Sequence, residues 1–426
     1  MATFYRLLAL CLLSATTALA QWRTYNISNS PLHSNVVLEV AIATDGSKWI
    51  ATKFAVQHLV GTAWTTYTQT NGLNYNSILC IAARDGVVWV GTDKGLCRFD
   101  GTTWTNYNDP AQLPTRGGLD LAITDVVIAR TGAIWVAGSR GVAQFDGTAW
   151  TKYNSTNSYL KEEAVTALAV NDNNTLLWIA TNCNSANSGV YWRSKDGPSE
   201  PELWGYNNLG GNNCVHGLAA GPQAAGRVVV GTCNSSSLLT ISGGVAGPAT
   251  PSNCVALDGV EQDPTNPQRA WVATESSGTG GTAPKGLLVY DGTRIVQEFN
   301  TTNSGLPSNL LSSVALEQAG GTLRAWVGTA DQGLAVYEST VMAERPVQAR
   351  IALAVLPNPA TTTLEVRADL SRYDLAVYDN VGHLLHQQLV TQAGPVHLPV
   401  QGWAPGLYHV RLTIGQGTGY ARFSKQ

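Results

Sequence analysis

The hydrophobic pattern of this chain is a succession of short apolar runs cut by turns rich in glycine, asparagine and aspartate. Its clearest stretch is Val87 to Asn108, VVWVGTDKGLCRFDGTTWTNYN. The run is apolar and β-branched up to Thr92 and turns at Asp93–Gly95. It resumes over Leu96–Phe99, turns again at Asp100–Gly101 and restarts at Thr103. Asp-Gly between two such runs is a strong hairpin signal, because both central residues of the tight turn want φ > 0. The stretch predicts a three-strand meander, which alone buries too little surface to be stable.

The meander recurs. Its core, Trp-Val-Gly-Thr or a near copy, stands at Trp49, Trp89, Trp135, Trp178, Trp271 and Trp326, with a degenerate VVVGT over Val228–Thr232. These seven copies lie roughly forty to fifty-five residues apart, a period of solenoids, propellers and arrays. No copy carries an amphipathic helical period. Four short strands per unit is the pattern of a β-propeller, so the expected fold is all-β, a seven-bladed propeller.

Each blade reads as an inner strand, the Trp-Val-Gly-Thr strand, a third strand and an outer Trp-x-x-Tyr strand. Inner strands are expected to begin near Val37, Ile78, Ile123, Val165, Val215, Val255 and Leu311. Trp22-Arg-Thr-Tyr25 is an outer strand without its unit, and the unit ending at Thr340 lacks its outer strand. The spare strand at one end fills the gap at the other, which closes the ring and removes a free edge. Turns between first and second strands, and between third and fourth, are short and share one rim. Loop length varies on the opposite rim, as at Asp109–Asp120, Thr181–Gly189 and Thr274–Gly286. Variable loops on a rigid frame are where binding residues gather.

Two further segments flank the repeats. Arg6, an apolar run over Leu7–Leu13 and Ala18-Leu19-Ala20 read as a signal peptide over residues 1–20. The propeller is expected over 21–340, followed by a linker over 341–350. A second module, 351–426, has alternating strands that predict a small antiparallel Ig-like sandwich. No segment reaches transmembrane length. With 13% charged residues and a net charge of -3, the chain offers no basic field for nucleic acid.

Two resemblances follow from these motifs. VVWVGTDKGLCRFDGTTW and AWVGTADQGLAVYEST resemble the two-component-regulator propeller repeat, a family of seven-bladed propellers often found in periplasmic sensor domains of hybrid kinases. No kinase or receiver module follows, so the sensing role is not expected to carry over. The second module resembles the type IX secretion (Por) C-terminal sorting domain of the Bacteroidetes. The matching residues are Leu356-Pro357-Asn358-Pro359-Ala360, Val377–Gly382, Gly406-Leu-Tyr408-His-Val410 and Lys425. The resemblance implies inner-membrane export, passage of the outer membrane by the type IX machinery, and a secreted or surface location.

Candidate chemistry is sparse. The sequence holds no serine-hydrolase elbow, zinc-protease helix or phosphate loop, and it calls for no cofactor and no metal. Asp172-Asn-Asn174 reads as an Asx-rich hairpin rather than a calcium loop. Glu39 and Asp125 fall at the third position of their inner strands and would face the channel. Two channel carboxylates could do acid/base work on a glycosidic bond, or simply line a solvated channel. Lys53, Asp93, Lys94, Arg140, Glu275 and Asp331 follow second strands and should ring the long-loop rim. The expected function is a monomeric, non-catalytic module binding an extracellular glycan, peptide or protein. A polysaccharide hydrolase or lyase and a structural or adhesive surface protein are the alternatives.

Six cysteines would remain after signal cleavage, in a compartment where disulfides persist. Cys183 and Cys233 follow second strands, and Cys214 and Cys254 precede inner strands. The repeat favours Cys183–Cys214 with Cys233–Cys254, and Cys214–Cys233 within one blade is the competitor. Cys80 and Cys97 should be buried free thiols.

Overall fold

The structure, a computed structural model, describes residues 21–340 and 353–426. Left out of that description are short stretches at 116–119, 172–173, 183–185, 195–202, 210–213, 222–226, 234–236, 243–244, 252–253, 276–282, 369, 381–382 and 415–416. The expected signal peptide, the linker, Cys183 and Asp172 lie outside the described residues. The chain divides into two compact units after Thr340.

The first unit is a ring of seven antiparallel sheets, six of four strands and one of five. Each inner strand packs on the inner strands of the sheets before and after it, and the last, Leu311–Ala319, packs on the first, Val37–Ile42. We number these sheets blades 1 to 7 in chain order. The inner strands begin at the seven residues expected from the sequence.

The repeat motif explains itself in the second strands. Val87–Thr92 is buried on both faces beyond its first residue, because the strand is sandwiched between neighbouring blades. Trp89, Trp135 and Trp178 are almost wholly buried there, and truncating such a side chain costs about 3–5 kcal/mol. The glycine admits the next blade. A Cβ on Gly91 would meet Cys80 Sγ at 2.3 Å and Ile123 Cγ2 at 2.9 Å, and one on Gly231 would meet Val255 Cγ1 at 2.6 Å. The threonine closes the next turn: Thr92 Oγ1 donates to Gly95 O (3.0 Å), and Thr52, Thr274 and Thr329 repeat the bond.

The turn chemistry differs from expectation at one point. At Asp45-Gly46, Asp100-Gly101, Asp146-Gly147 and Asp291-Gly292 only the glycine has positive φ, and both residues do so only at Asp85-Gly86. The other aspartates cap their turns instead. Asp100 Oδ1 accepts N–H bonds from Thr102 (2.9 Å) and Thr103 (2.8 Å), and Asp146 and Asp291 do the same with the two residues after their glycines. An Asx turn satisfies the loop donors without forcing aspartate into the left-handed region.

Closure is as the sequence implies. Gln21–Tyr25 pairs antiparallel with Leu334–Thr340, in a register that sets Trp22 opposite Tyr337. Trp22 packs between Phe299 of blade 6 (5.8 Å between ring centroids) and Tyr337 of blade 7 (5.2 Å). Ser312 Oγ of blade 7 donates to Val37 O of blade 1 (2.6 Å), and Lys48 of blade 1 pairs with Glu317 of blade 7 (2.7 Å).

The second unit holds a three-stranded sheet (Ala354–Leu356, Thr363–Arg367, Val396–Pro399) and a four-stranded sheet containing Tyr373–Tyr378 and Gly406–Ile414. One core joins them, with Leu364, Val366, Leu375, Val377, Val410, Leu412 and Phe423 fully buried. The Pro357–Ala360 segment clasps the final strand: Ser424 N donates to Asn358 Oδ1 (2.9 Å), and Ala360 N to Ser424 O (2.8 Å). Gly406 pairs with Lys425, and Tyr408 stacks on Phe423 (5.3 Å). Asn358, Ala360, Gly406, Tyr408 and Lys425 thus meet at one end of the final strand.

Candidate functional site

Two places in the propeller gather polar side chains: the central channel and the long-loop rim.

The channel encloses about 370 Å³ and is walled mostly by alanine, valine, isoleucine and leucine of the inner strands. Three carboxylates break that wall: Glu39 of blade 1, Asp125 of blade 3 and Glu261 of blade 6. Glu39 and Asp125 share a role that comes from the repeat. Each inner strand of blades 1 to 5 and 7 carries a one-residue bulge just before the third position. Glu39 Oε2 accepts the N–H of Ile81 in blade 2 (2.7 Å), and Asp125 Oδ2 that of Leu168 in blade 4 (2.5 Å). Asp125 Oδ1 also accepts Val126 N–H (2.6 Å). Both therefore tie their own blade to the next through main-chain donors, and both oxygens of Asp125 are engaged.

Burial raises all three acids, since a low-dielectric wall penalises the charged form. Glu39 is held well above the ordinary carboxylate range by burial and by the charge of Asp125. Burial also raises Asp125, against the pull of its two N–H donors. Glu261 is pushed up to about 7 by burial. The sequence reading missed Glu261. The Val255–Gln262 strand shifts register between Val255 and Val260, with two more residues there than in other blades. Counting from Val255 therefore lands on Leu257, whereas Glu261 lies opposite Trp271 as Ala41 lies opposite Trp49.

On the rim, Lys53, Asp93, Lys94, Arg140, Glu275 and Asp331 all stand at the ends of second strands. Arg140 pairs with Glu163 (2.9 Å), which also accepts Ser155 N (2.9 Å). Glu275 pairs with His216 (3.1 Å). Lys53 Nζ lies over the Phe54 ring (5.4 Å) and Lys94 Nζ over the Tyr75 ring (5.9 Å). A third pair, Lys161 over Tyr159 (5.5 Å), lies on the same rim in the loop before blade 4. Phe54, Tyr75 and Tyr159 are 51%, 37% and 46% exposed. Sequence reasoning passed over them because it took aromatics as blade core. Their signal was position: all three stand outside the repeat register, in loops.

The outer-to-inner loops share an internal brace. In blades 1, 2, 4 and 7 the outer-to-inner loop begins with a backbone N–H bonded to an asparagine three residues on: Asn26 to Asn29, Thr68 to Asn71, Asn154 to Asn157 and Asn300 to Asn303. Each then drives a leucine, Leu32, Leu73, Leu160 or Leu306, into the blade core.

The comparisons with known proteins fit this architecture. Residues 354–426 match the family described as the secretion system C-terminal sorting domain, and residues 72–94 match the two component regulator propeller. The propeller match covers a single repeat, and the sorting-domain match covers nearly all of the described second unit. That sorting domain marks the chain for secretion or the cell surface through the type IX system. Among solved structures it is similar to PorZ of Porphyromonas gingivalis, described as an essential surface component of the type IX secretion system. The identity is 19%, over 94% of this chain and 61% of that one, with a TM-score of 0.58. It is also similar to the extracellular domain of the putative hybrid two component system BT3049 from B. thetaiotaomicron (15% identity, 95% and 57% covered, TM-score 0.53). A third similar structure is virginiamycin B lyase from Staphylococcus aureus (12%, 75% and 99% covered, TM-score 0.55). At these identities the likeness shows the fold alone, and the chain spans about three fifths of the first two proteins. No curated protein matches it. Among the described residues no helix is long and apolar enough to cross a membrane.

Proposed function

We propose that the long-loop rim is a non-catalytic binding face of a monomeric exported protein, and that it takes an extracellular glycan bearing acidic groups. The observation that carries this reading is the set of three exposed aromatic rings, Phe54, Tyr75 and Tyr159, each with a lysine over it. An exposed ring presents an apolar face on which a sugar can stack, and the lysine beside it favours a carboxylate or sulfate substituent. The asparagine-braced loops set Tyr75 and Tyr159 in place before binding, which lowers the ordering cost. The channel acids support the non-catalytic side, because Asp125 and Glu39 already serve main-chain donors.

The test is binding of the full exported chain to immobilised neutral and acidic polysaccharides. Acidic ligands should be retained, and Phe54→Ala/Tyr75→Ala/Tyr159→Ala should weaken retention by about tenfold or more while leaving the melting temperature unchanged. Undiminished binding by that variant would overturn the rim assignment. Turnover of a polysaccharide, abolished by Glu39→Gln or Asp125→Asn, would overturn the non-catalytic reading in favour of a hydrolase or lyase.

A further inference from the structure

The seam between blades 5 and 6 carries a cluster that the repeat does not require. Cys233 follows the second strand of blade 5 and Cys254 precedes the inner strand of blade 6. They are joined in a disulfide. Cys214 is disulfide-bonded as well, and its expected partner, Cys183, lies outside the described residues. Beside the Cys233–Cys254 bridge stand His216, on the inner strand of blade 5, and Glu275, after the second strand of blade 6. One ligand atom from each of these four residues lies within 4.8 Å of the others. His216 Nδ1 is 3.1 Å from Glu275 Oε1, and Cys254 Sγ is 3.5 Å from the same oxygen.

The histidine is the informative member. At its repeat position blades 3, 4 and 7 have Thr124, Thr166 and Ser312. Each hydroxyl donates to the first carbonyl of the next inner strand: Val165 (2.8 Å), Val215 (2.8 Å) and Val37 (2.6 Å). His216 makes the same contact to Val255 O (3.1 Å). A hydroxyl suffices for that bond, whereas the imidazole Nδ1 that reaches Val255 O also faces Glu275 Oε1, and as the deprotonated tautomer it would exchange the carbonyl contact for a metal. Two sulfurs, one imidazole and one carboxylate are a zinc ligand set, and four ligands in reach of one point suit its tetrahedral preference. The cysteines are 7% and 0% exposed, whereas the His216 and Glu275 side chains are 22% and 30% exposed. The cluster is therefore walled by blade core on one side and open to solvent from the rim, which gives an ion a route in.

We propose that reducing the Cys233–Cys254 bridge converts this cluster into a zinc site with Cys233, Cys254, His216 and Glu275 as ligands. Two molecules of a small thiol transfer two electrons and two protons to the S–S bond and leave as their own disulfide. Zn²⁺ then displaces one proton from each protein thiol to solvent, and the neutral imidazole and the Glu275 carboxylate complete the shell. The seam between blades 5 and 6 is thus stapled in either redox state, by a covalent bond when oxidised and by the metal when reduced.

The test uses the full chain with Cys183→Ser/Cys214→Ser, so that the other pair contributes no thiols. Zinc is titrated against a chromogenic chelator before and after reduction with a phosphine, and Co²⁺ absorption reports thiolate ligation. The expected result is one equivalent of Zn²⁺ in the reduced chain and none in the oxidised chain. His216→Ala and Glu275→Gln should each weaken it by about tenfold or more. Both variants leave the disulfide in place, so their folding can be verified in the oxidised form. No uptake by the reduced chain would overturn the proposal, and so would uptake indifferent to both substitutions.

Discussion

Replacing Glu261 by glutamine should stabilise the protein at alkaline pH and leave it unchanged at acidic pH. In the folded chain its carboxyl titrates near pH 7 because burial in the channel wall penalises the charge, against an ordinary value of 4.5. A carboxyl raised in the folded state binds its proton more tightly there than in the unfolded chain. Its contribution is therefore fully present below the unfolded value and is lost as pH climbs through the folded value, between about pH 4.5 and 7. At about 1.36 kcal/mol per pH unit the full shift corresponds to roughly 3 kcal/mol. The effective dielectric of a protein interior tempers such a shift, so the expected gain of the glutamine variant at pH 8 is about 1–2 kcal/mol. For a domain of this size that is a rise of roughly 1–3 °C in melting temperature. Thermal melts of parent and variant between pH 4 and pH 9 read this directly. The two should coincide near pH 4 and diverge above pH 5. Parallel curves across the range, or a variant that melts lower at pH 8, would refute the assignment of Glu261 to a desolvated channel wall.

Asp125→Asn also removes a carboxyl raised by burial, so it too should gain stability as pH rises, but by less than Glu261→Gln. The amide offers one acceptor oxygen to two main-chain donors, Val126 and Leu168, and stranding a buried donor costs about 1–3 kcal/mol; a gain at pH 8 as large as that of Glu261→Gln, with no loss at pH 4, would show that the bolt between blades 3 and 4 is dispensable. Deleting Trp22–Asn26 removes the outer strand of blade 7 and the Trp22 packing, so melting should fall by roughly 5–8 °C or more, and an unchanged melt would rule out this closure. Deleting Ile351–Gln426 should leave a folded propeller in the periplasm, and detection of the truncated chain in the medium would defeat the sorting assignment.

The fold was legible because the propeller writes one solution many times. Trp89, Gly91 and Thr92 each answer a separate physical demand: filling the space between blades, admitting the next inner strand and closing the following turn. A demand that recurs at a fixed period shows in sequence even where one copy decays, as in Val228–Thr232. The ring's closure was legible for the same reason, since a strand without a unit and a unit without a strand are complementary defects. The Asp-Gly turns were placed correctly and explained wrongly. Dipeptide chemistry fixes where the chain reverses, while the side-chain oxygen of aspartate decides which backbone geometry it uses.

The site was less legible, because function sits where the period fails. Glu39 and Asp125 stood out as acids at a repeat position, and that position is what commits them to the neighbouring blade's backbone. Glu261 was hidden by the two extra residues that shift its strand, although it carries the same charge in the same channel. Phe54, Tyr75 and Tyr159 were hidden by an opposite error, since aromatics are so common in the blades that an aromatic in a loop drew no notice. His216 replaces a hydroxyl in a bond that any donor could make. Such substitutions carry no cost to the ring and no signature in the repeat. In a molecule built from copies, the informative residues are those that satisfy the shared constraint with more chemistry than it asks for.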